Sequence, residues 1–532
     1  MDHNTKIDKI ICIILSIFVL CVLIFLFFHV FFRKASLPSD IDAAADTENA
    51  QINEIYPDDL LPKKIFIGQK APTVYFQMPD GNPVSIDALA ASSPEGLWIT
   101  ISAGAEQDQE HIEAVRSLSS ANKIMSFTVV KQVPDKDIDF YLSDPEETCR
   151  LEWGVEAFPA DIILDPQGNV LECHAGRLKP GEAEGMLKRV REGRAAVNFA
   201  FIEHVMSDGN GGFYTSTAQN GEFPSGKDIL SESQGLVMMY ALNADDPELF
   251  RKTWTFTKEH LLKNDLAAWY VNSDDKPANV NAFLDDLRIW FALYKAETKF
   301  DKSYASEADA MLKAVKSRCL DLKKRPVDFA YLSGSERADI ISLHYLDLEA
   351  IQAMKEADPD FGPVYDSALN ILLDGRISDE FPLYYKNYDY STRSYDPGSL
   401  NTAEALYTFW NMSRAGMLPK ESLCWLKEKM QSGGLAARYN INGEVVLGYN
   451  YDSTAVYALA ALTAMEAGDD ELFGMALRRM ERKLILDADD EFFGAYTQKG
   501  AVIYSFDQLM PLLVNASVDR YLIGKASGNG KQ

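Results

Sequence analysis

Apolar and polar positions change rhythm several times along the chain. Ile10 to Phe32 is apolar throughout except for Cys12, Ser16, Cys21 and His29, and at about 1.5 Å per residue a helix of this length covers the roughly 30 Å of a bilayer core. The stretch predicts a transmembrane signal anchor at 10–32 behind a cytoplasmic tail at 1–9, because a cleaved signal peptide carries a shorter apolar run of about 7–15 residues. Lys6 and Lys9 before the span balance Arg33 and Lys34 after it, so the charge rule leaves orientation open. The short tail favours a single-pass protein of the cell membrane with its bulk extracytoplasmic. Residues 33–62, with Asp40, Asp42, Asp46 and Glu48, read as a polar stalk.

Between 63 and 192 the rhythm is that of an α/β unit. Apolar runs at 73–77, 96–101, 124–130 and 160–164 predict strands, and segments near 107–119 and 181–191 predict helices. From 193 to 525 the pattern is helical and of two alternating kinds. Segments 231–242, 282–296, 338–354, 399–415, 453–466 and 506–515 are apolar or small all round, while 247–262, 302–316, 420–431 and 470–485 carry a charged stripe. A helix apolar on every side is buried and one with a polar stripe faces solvent. Six inner helices wrapped by outer ones predict an (α/α)6 barrel. The expected fold class is multi-domain: an N-terminal transmembrane helix, an α/β domain and an all-α barrel.

Composition narrows the function rather than the fold. Lys and Arg number 52 against 79 Asp and Glu, a net charge of −27, which repels phosphate backbones and excludes nucleic acid as a partner. Of the six cysteines, Cys12 and Cys21 lie in the apolar segment, and Cys149, Cys173, Cys319 and Cys424 form no CxxC pattern. Without such spacing or a His-rich cluster the sequence implies no metal and no cofactor. Cys149 and Cys173 are candidates for a disulfide outside the cell, a pairing the sequence leaves open.

Unusual residues gather where the chain enters the inner helices. These are Ser231 to Gln234, Asp285 with Asp286, Tyr388 through Tyr395 and Asp396, and Tyr449 through Asp452. If the inner helices run parallel, these loops share one rim, and carboxylates and rings converge on a cleft suited to sugars. Each also has a plain structural reading: Glu232 as an acid in a first helical turn, Asp286 as a helix cap, and Asp396 as the turn residue before Pro397 and Gly398.

Two resemblances sharpen this picture. In the α/β region Gly68-Gln-Lys-Ala-Pro, Asp80-Gly81 and Phe158-Pro159-Ala-Asp-Ile-Ile-Leu-Asp165-Pro-Gln-Gly168 resemble the thioredoxin-like family of extracytoplasmic reductases, with Pro159 at that family's cis-proline position. Where the family has its two redox cysteines this chain has Ser102-Ala103-Gly104-Ala105. A thioredoxin-like domain at 63–192 therefore lacks the thiolate that disulfide exchange requires and is left as a spacer or docking module.

In the helical region Ser231-Glu232-Ser233-Gln234-Gly235-Leu-Val-Met-Met239 is similar to the Ser-Glu-Gly-Gln-Gly/Ser-Tyr-Gly-Met signature of family 8 glycoside hydrolases, inverting enzymes that include cellulases, chitosanases and xylanases. Asn264 to Trp269, Asn281 to Leu287, and Ser394-Tyr395-Asp396 resemble its later segments. The resemblance implies Glu232 as proton donor, Asp396 as general base, and Trp269, Tyr270 and Tyr395 as substrate-binding rings. It implies Asp286 as a subsite carboxylate in preference to Asp285, because Leu284 stands at the family's first Asp.

An endo-acting hydrolase of a β-linked polysaccharide follows, a β-1,4-glucan or related exopolysaccharide, with the membrane and an exopolysaccharide synthesis machinery as partners. Ser233 replaces a glycine of the signature and Leu236 an aromatic, which leaves open a catalytically weakened or inactive carbohydrate-binding protein of exopolysaccharide assembly. A membrane thioredoxin-like assembly factor is the second alternative.

Overall fold

The computed structural model describes residues 62–132, 140–218, 226–498 and 500–526, all within one compact unit, Asn53–Gln532. The expected tail, anchor and nearly all of the stalk lie outside the described residues. No helix among the described residues is long and apolar enough to cross a membrane.

The N-terminal part is an α/β domain. Its elements are β1 (Tyr75–Gln77), β2 (Pro83–Ser85), α1 (Ile86–Ala91), β3 (Leu97–Ile101), α2 (Gln109–Ala121), β4 (Met125–Val130), β5 (Tyr141–Ser143), α3 (Thr148–Trp153), β6 (Ala160–Leu164), β7 (Val170–Ala175) and α4 (Pro180–Glu192). The strands form one mixed sheet in the order β2-β1-β5-β4-β3-β6-β7, with β3 parallel to β4 and antiparallel to β6. Leu97 to Ile101 and Ala160 to Leu164 are buried at every position, as expected of central strands covered on both faces. The four strands expected from apolar runs are present. β2, β5 and β7 carry too little apolar pattern to stand out: two are three residues long, and β7 is a half-buried edge. The Phe158–Pro159 peptide is cis.

Gly193, at φ 98°, turns the chain from α4 into α5 (Arg194–Val205), and the barrel begins. Asp519 caps α5 by accepting from Arg194 N at 3.1 Å and Ala195 N at 2.8 Å, satisfying donors that a helix start leaves orphaned. The remaining elements are β8 (Ile229–Leu230), α6 (Ser231–Ala244), α7 (Pro247–Phe256), β9 (Leu262–Lys263), β10 (Leu266–Ala267), β11 (Tyr270–Val271), α8 (Phe283–Lys299), α9 (Tyr304–Arg318), β12 (Ile340–Ser342), α10 (Leu348–Ala357), α11 (Gly362–Asp374), β13 (Asn387–Asp389), β14 (Ser394–Tyr395), β15 (Leu400–Asn401), α12 (Thr402–Arg414), α13 (Lys420–Gln431), β16 (Arg438–Tyr439), α14 (Thr454–Ala467), α15 (Asp470–Glu481) and α16 (Phe506–Ala526).

Helices α6, α8, α10, α12, α14 and α16 pack in succession, and α16 returns to α6, closing a ring. Outside it lie α7, α9, α11, α13, α15 and α5. The ring is the (α/α)6 barrel. Texture explains the sorting: α14 is buried at every position from Thr454 to Ala464, whereas α15 buries Leu472, Ala476, Leu477 and Met480 on one face.

Two outer helices, α5 and α11, were not expected from the charged stripes, and one inner segment differs. In place of a continuous helix at 338–354, Ile340–Ser342 is extended and α10 starts at Leu348. Asp347 caps it by accepting from Ala350 N at 3.1 Å while bonding Arg414 at the end of α12. Capping by Asp347 starts α10 after a short 3-10 turn at Leu343–Tyr345.

The two domains meet through a buried quartet. Arg194 bonds Glu172 of β7 at 2.9 Å and Glu481 of α15 at 2.5 Å, and Arg189 of α4 reaches the same two carboxylates. Glu172, Arg189 and Arg194 are each buried. Burial opposes the ionisation of Glu481, and the two guanidiniums more than offset it, holding its carboxyl below the usual range.

Candidate active site

Glu232 occupies the first turn of α6, where the helix dipole favours an acid, and its side chain is half-buried. Two-residue pairing of β8 with β11 sets Tyr270 against Leu230, and the carbonyl of Trp269 accepts from Ser231 N at 3.0 Å. Trp269 and Tyr270, whose half-buried rings lie 4.7 Å apart and edge to face, are thus joined through their backbone to the residues that lead into Glu232. Burial and then the neighbouring Asp285 charge push the Glu232 carboxyl up to about 7, against the pull of Arg288.

The carboxylate beside Glu232 is Asp285, not Asp286 as the resemblance implied. Asp285 accepts from Ser231 Oγ at 2.5 Å and from Arg288 Nη1 at 2.9 Å. Asp286 has no exposed surface; it accepts from Ala267 N at 2.8 Å and from Asn281 Nδ2 at 2.5 Å, and burial pushes it up to about 8. On α8 the two neighbours point about 100° apart, so only one reaches the α6 terminus. Asp286 is a structural tie between β10 and the start of α8.

Asp396 is half-buried at the end of the β12-β13-β14 sheet. Its Oδ1 accepts from Gly398 N at 2.8 Å, and its backbone N–H donates to Asn387 O at 3.0 Å. Asn387 pairs with Ser342, and three residues beyond Ser342 stands Tyr345, a half-buried phenol near Glu232, Asp285, Asp328 and Glu404. Sequence reasoning missed Tyr345 because its segment reads as the interior of an inner helix. Tyr395 stacks on Tyr385 at 5.3 Å and donates its hydroxyl to Ile371 O at 2.8 Å. That hydroxyl is committed to the scaffold, and only the half-buried ring remains for a ligand.

Elsewhere, Ser102 is buried and donates its hydroxyl to Asp108 Oδ2 at 2.7 Å, and a serine has no thiolate for disulfide exchange. Cys149 and Cys173 are separate free thiols: the first is buried on α3, and the second is pushed up to about 12 by burial and then by Glu172. The disulfide left open by the sequence is not formed. Among the described residues no cluster of His, Cys, Asp or Glu is arranged to hold a metal.

A closed helical ring that holds a half-buried glutamic acid and a neighbouring carboxylate at the start of one inner helix, with two rings on the paired strand, offers the polar and aromatic groups that a sugar ligand needs. Residues 215–322 match the model of glycosyl hydrolases family 8, a range that includes Glu232 and Asp285 but not Asp396. A solved α-amylase from Clostridium perfringens is 30% identical, with a TM-score of 0.57, over 61% of this chain and 97% of its own. PssZ from Listeria monocytogenes is 21% identical, with a TM-score of 0.47, over 61% of this chain and 94% of its own. The putative lipoprotein YdaJ of Bacillus subtilis is 27% identical over 318 residues, 59% of this chain and 84% of the relative. The chain belongs to glycosyl hydrolases family 8 and is a glycoside hydrolase.

Proposed function

We propose that this protein is a membrane-anchored, endo-acting, inverting hydrolase of an extracytoplasmic polysaccharide, with Glu232 as the acid and Asp396 as the base. The observation that carries the reading is the place of Glu232 in the first turn of inner helix α6, with Asp285 bonded to the preceding Ser231 and Tyr270 paired to Leu230; burial and then Asp285 raise its carboxyl to about 7, which leaves a proton available for the departing glycosidic oxygen. Asp396 then draws a proton from water attacking the opposite face of the sugar, while Trp269 and Tyr270 support the ring at the cleavage point. Asp285 takes the subsite role first given to Asp286.

The substrate reading is a β-1,4-glucan or a related exopolysaccharide, which the sequence resemblance to cellulases favours. An α-glucan is the second reading, favoured by the α-amylase relative at 30% identity. Anchoring through 10–32 draws support from the apolar run itself. The α/β domain, thioredoxin-like by its motifs, serves as a docking module toward the machinery that makes the polysaccharide.

The test is reducing-sugar release by the full chain on β-1,4-glucan, chitosan, xylan and α-1,4-glucan, beside Glu232→Gln and Asp396→Asn, with the product anomer followed by NMR. Activity lost in both variants and an inverted anomer support the assignment, and the polymer cleaved decides between the two readings. Retained activity in Glu232→Gln removes it as the acid; glycan binding without turnover in the parent chain points to the inactive carbohydrate-binding alternative.

A further inference from the structure

We propose that Arg288, gripped by Tyr407, decides which of two neighbouring carboxyls, Glu232 or Asp285, carries the proton they share, and so keeps the acid loaded. The inference rests on the reading of Glu232 as proton donor and extends it to a positioning residue outside any motif.

The two carboxyls are unequally served. Asp285 receives the hydroxyl of Ser231 and the guanidinium of Arg288, at 2.5 and 2.9 Å. No hydrogen bond or ion pair reaches the carboxyl of Glu232 among the described residues. Two close carboxyls in a poorly solvated site do not both ionise, and the anion settles where donors stabilise it. The proton is therefore left on Glu232.

The guanidinium is held on the Asp285 side from three inner helices. Its Nη2 donates to the Tyr407 hydroxyl of α12 at 2.7 Å, its own backbone is α8, and its stem lies on Gly235 of α6, where a Cβ would come within 2.9 Å of Arg288 Cδ. Arg288 is 3% and Tyr407 4% exposed, so water offers neither a replacement.

The other ionisable groups around the pair do not supply this cation. Tyr345 faces Glu232, Asp285, Asp328 and Glu404 as a phenol raised by burial and then by these carboxyls. Burial, then Lys386 and Arg288, push His344 down to about 3 and keep it neutral. Asp286, behind Asp285, is occupied with Ala267 and Asn281. Asp347 and Arg414, which flank Tyr407, bond each other at 3.0 Å. Asp328 accepts from Ser342 N and Oγ.

The experiment measures kcat and KM against pH for the full chain on the polymer it cleaves, with thermal melts alongside. Arg288→Met lowers the plateau kcat at least about tenfold and moves the alkaline limb up by about one unit. Without the cation the pair releases its last proton less readily, and the retained proton divides between Glu232 and Asp285. Arg288→Lys, which keeps the charge, brings the limb back toward the parent position. Asp285→Asn moves the limb down by about one unit, because the repelling anion is gone and Arg288 remains.

A packing role alone lowers the plateau or the melting temperature but leaves the limb in place. That result, or a limb that moves down in Arg288→Met, overturns the proposal. If Arg288→Met does not fold, an unmoved limb in Asp285→Asn overturns it. Hydrolysis retained by Glu232→Gln overturns the acid assignment and this inference together, whereas an inactive Glu232→Gln beside an unmoved limb defeats this inference alone.

Discussion

Gly235 lies directly against the aliphatic stem of Arg288: a methyl group at Gly235 would stand 2.9 Å from Cδ, 3.2 Å from Cγ and 3.4 Å from Cβ. The glycine sits in a helix interior, where it costs about 1 kcal/mol relative to alanine, yet alanine has no room unless Arg288 shifts. Overpacking of this kind costs about 1–3 kcal/mol. Gly235→Ala is expected to lower both the melting temperature and kcat, in contrast to the stabilisation an exposed helical glycine would give. Calorimetry beside initial rates checks it, and a more stable, fully active variant contradicts the packing described.

Activity should fall as pH rises through about 7. The Glu232 carboxyl is raised to about 7 by burial and then by Asp285, so the acid form needed for protonating the leaving oxygen predominates below that pH and disappears above it. A profile of kcat/KM on a soluble oligosaccharide reads the limb. A plateau extending unbroken to pH 9 would mean that another group donates the proton.

The interdomain quartet makes the α/β domain part of the enzyme's stability. Glu481→Gln removes a charge shared by Arg189 and Arg194 and leaves two buried guanidiniums to Glu172 alone. Removing one member of a buried ion network costs about 3–5 kcal/mol, seen as a drop in melting temperature. Because the Glu481 carboxyl is held below its usual range, the stability it contributes is present above the ordinary glutamate pKa and is lost as pH falls below it. The gap between parent and variant should therefore shrink in acid. An equal gap at pH 3 and pH 7 would argue against the pairing.

Thiol labelling distinguishes the described cysteines. Cys149 and Cys319 have no exposed surface, Cys149 is raised well above the ordinary thiol value by burial and then by Asp144, and Cys173 is raised to about 12. Cys424 is exposed. Iodoacetamide at pH 8 should label Cys424 in the native chain while the other three react only after denaturation, with peptide mapping as the readout. Labelling of native Cys173 would show that the interdomain seam opens.

Much of the architecture was legible because periodicity records burial directly. Strands such as Leu97–Ile101 and the helical run 454–464 lie in surroundings of one polarity, so their sequences are apolar or small on every side, and Glu232 stands out as a candidate through a local motif. α11 escaped notice because its stripe is weak, and the break in the helix before Leu348 escaped because Asp347 answers to Arg414, a residue 67 positions away.

The sequence by itself determined the layered order of the chain, the barrel, the lack of a CxxC pair and the place of Glu232 at the start of an inner helix, all of which depend on residue type and near neighbours. Only the tertiary structure placed Asp285 rather than Asp286 at the α6 terminus, withdrew the Cys149–Cys173 pairing, committed the Tyr395 hydroxyl to Ile371 and brought Arg288 and Tyr407 to Asp285. Which carboxylate reaches the α6 terminus depends on helix rotation of about 100° per residue and on partners from three separate helices, and neither is written in any local stretch of chain.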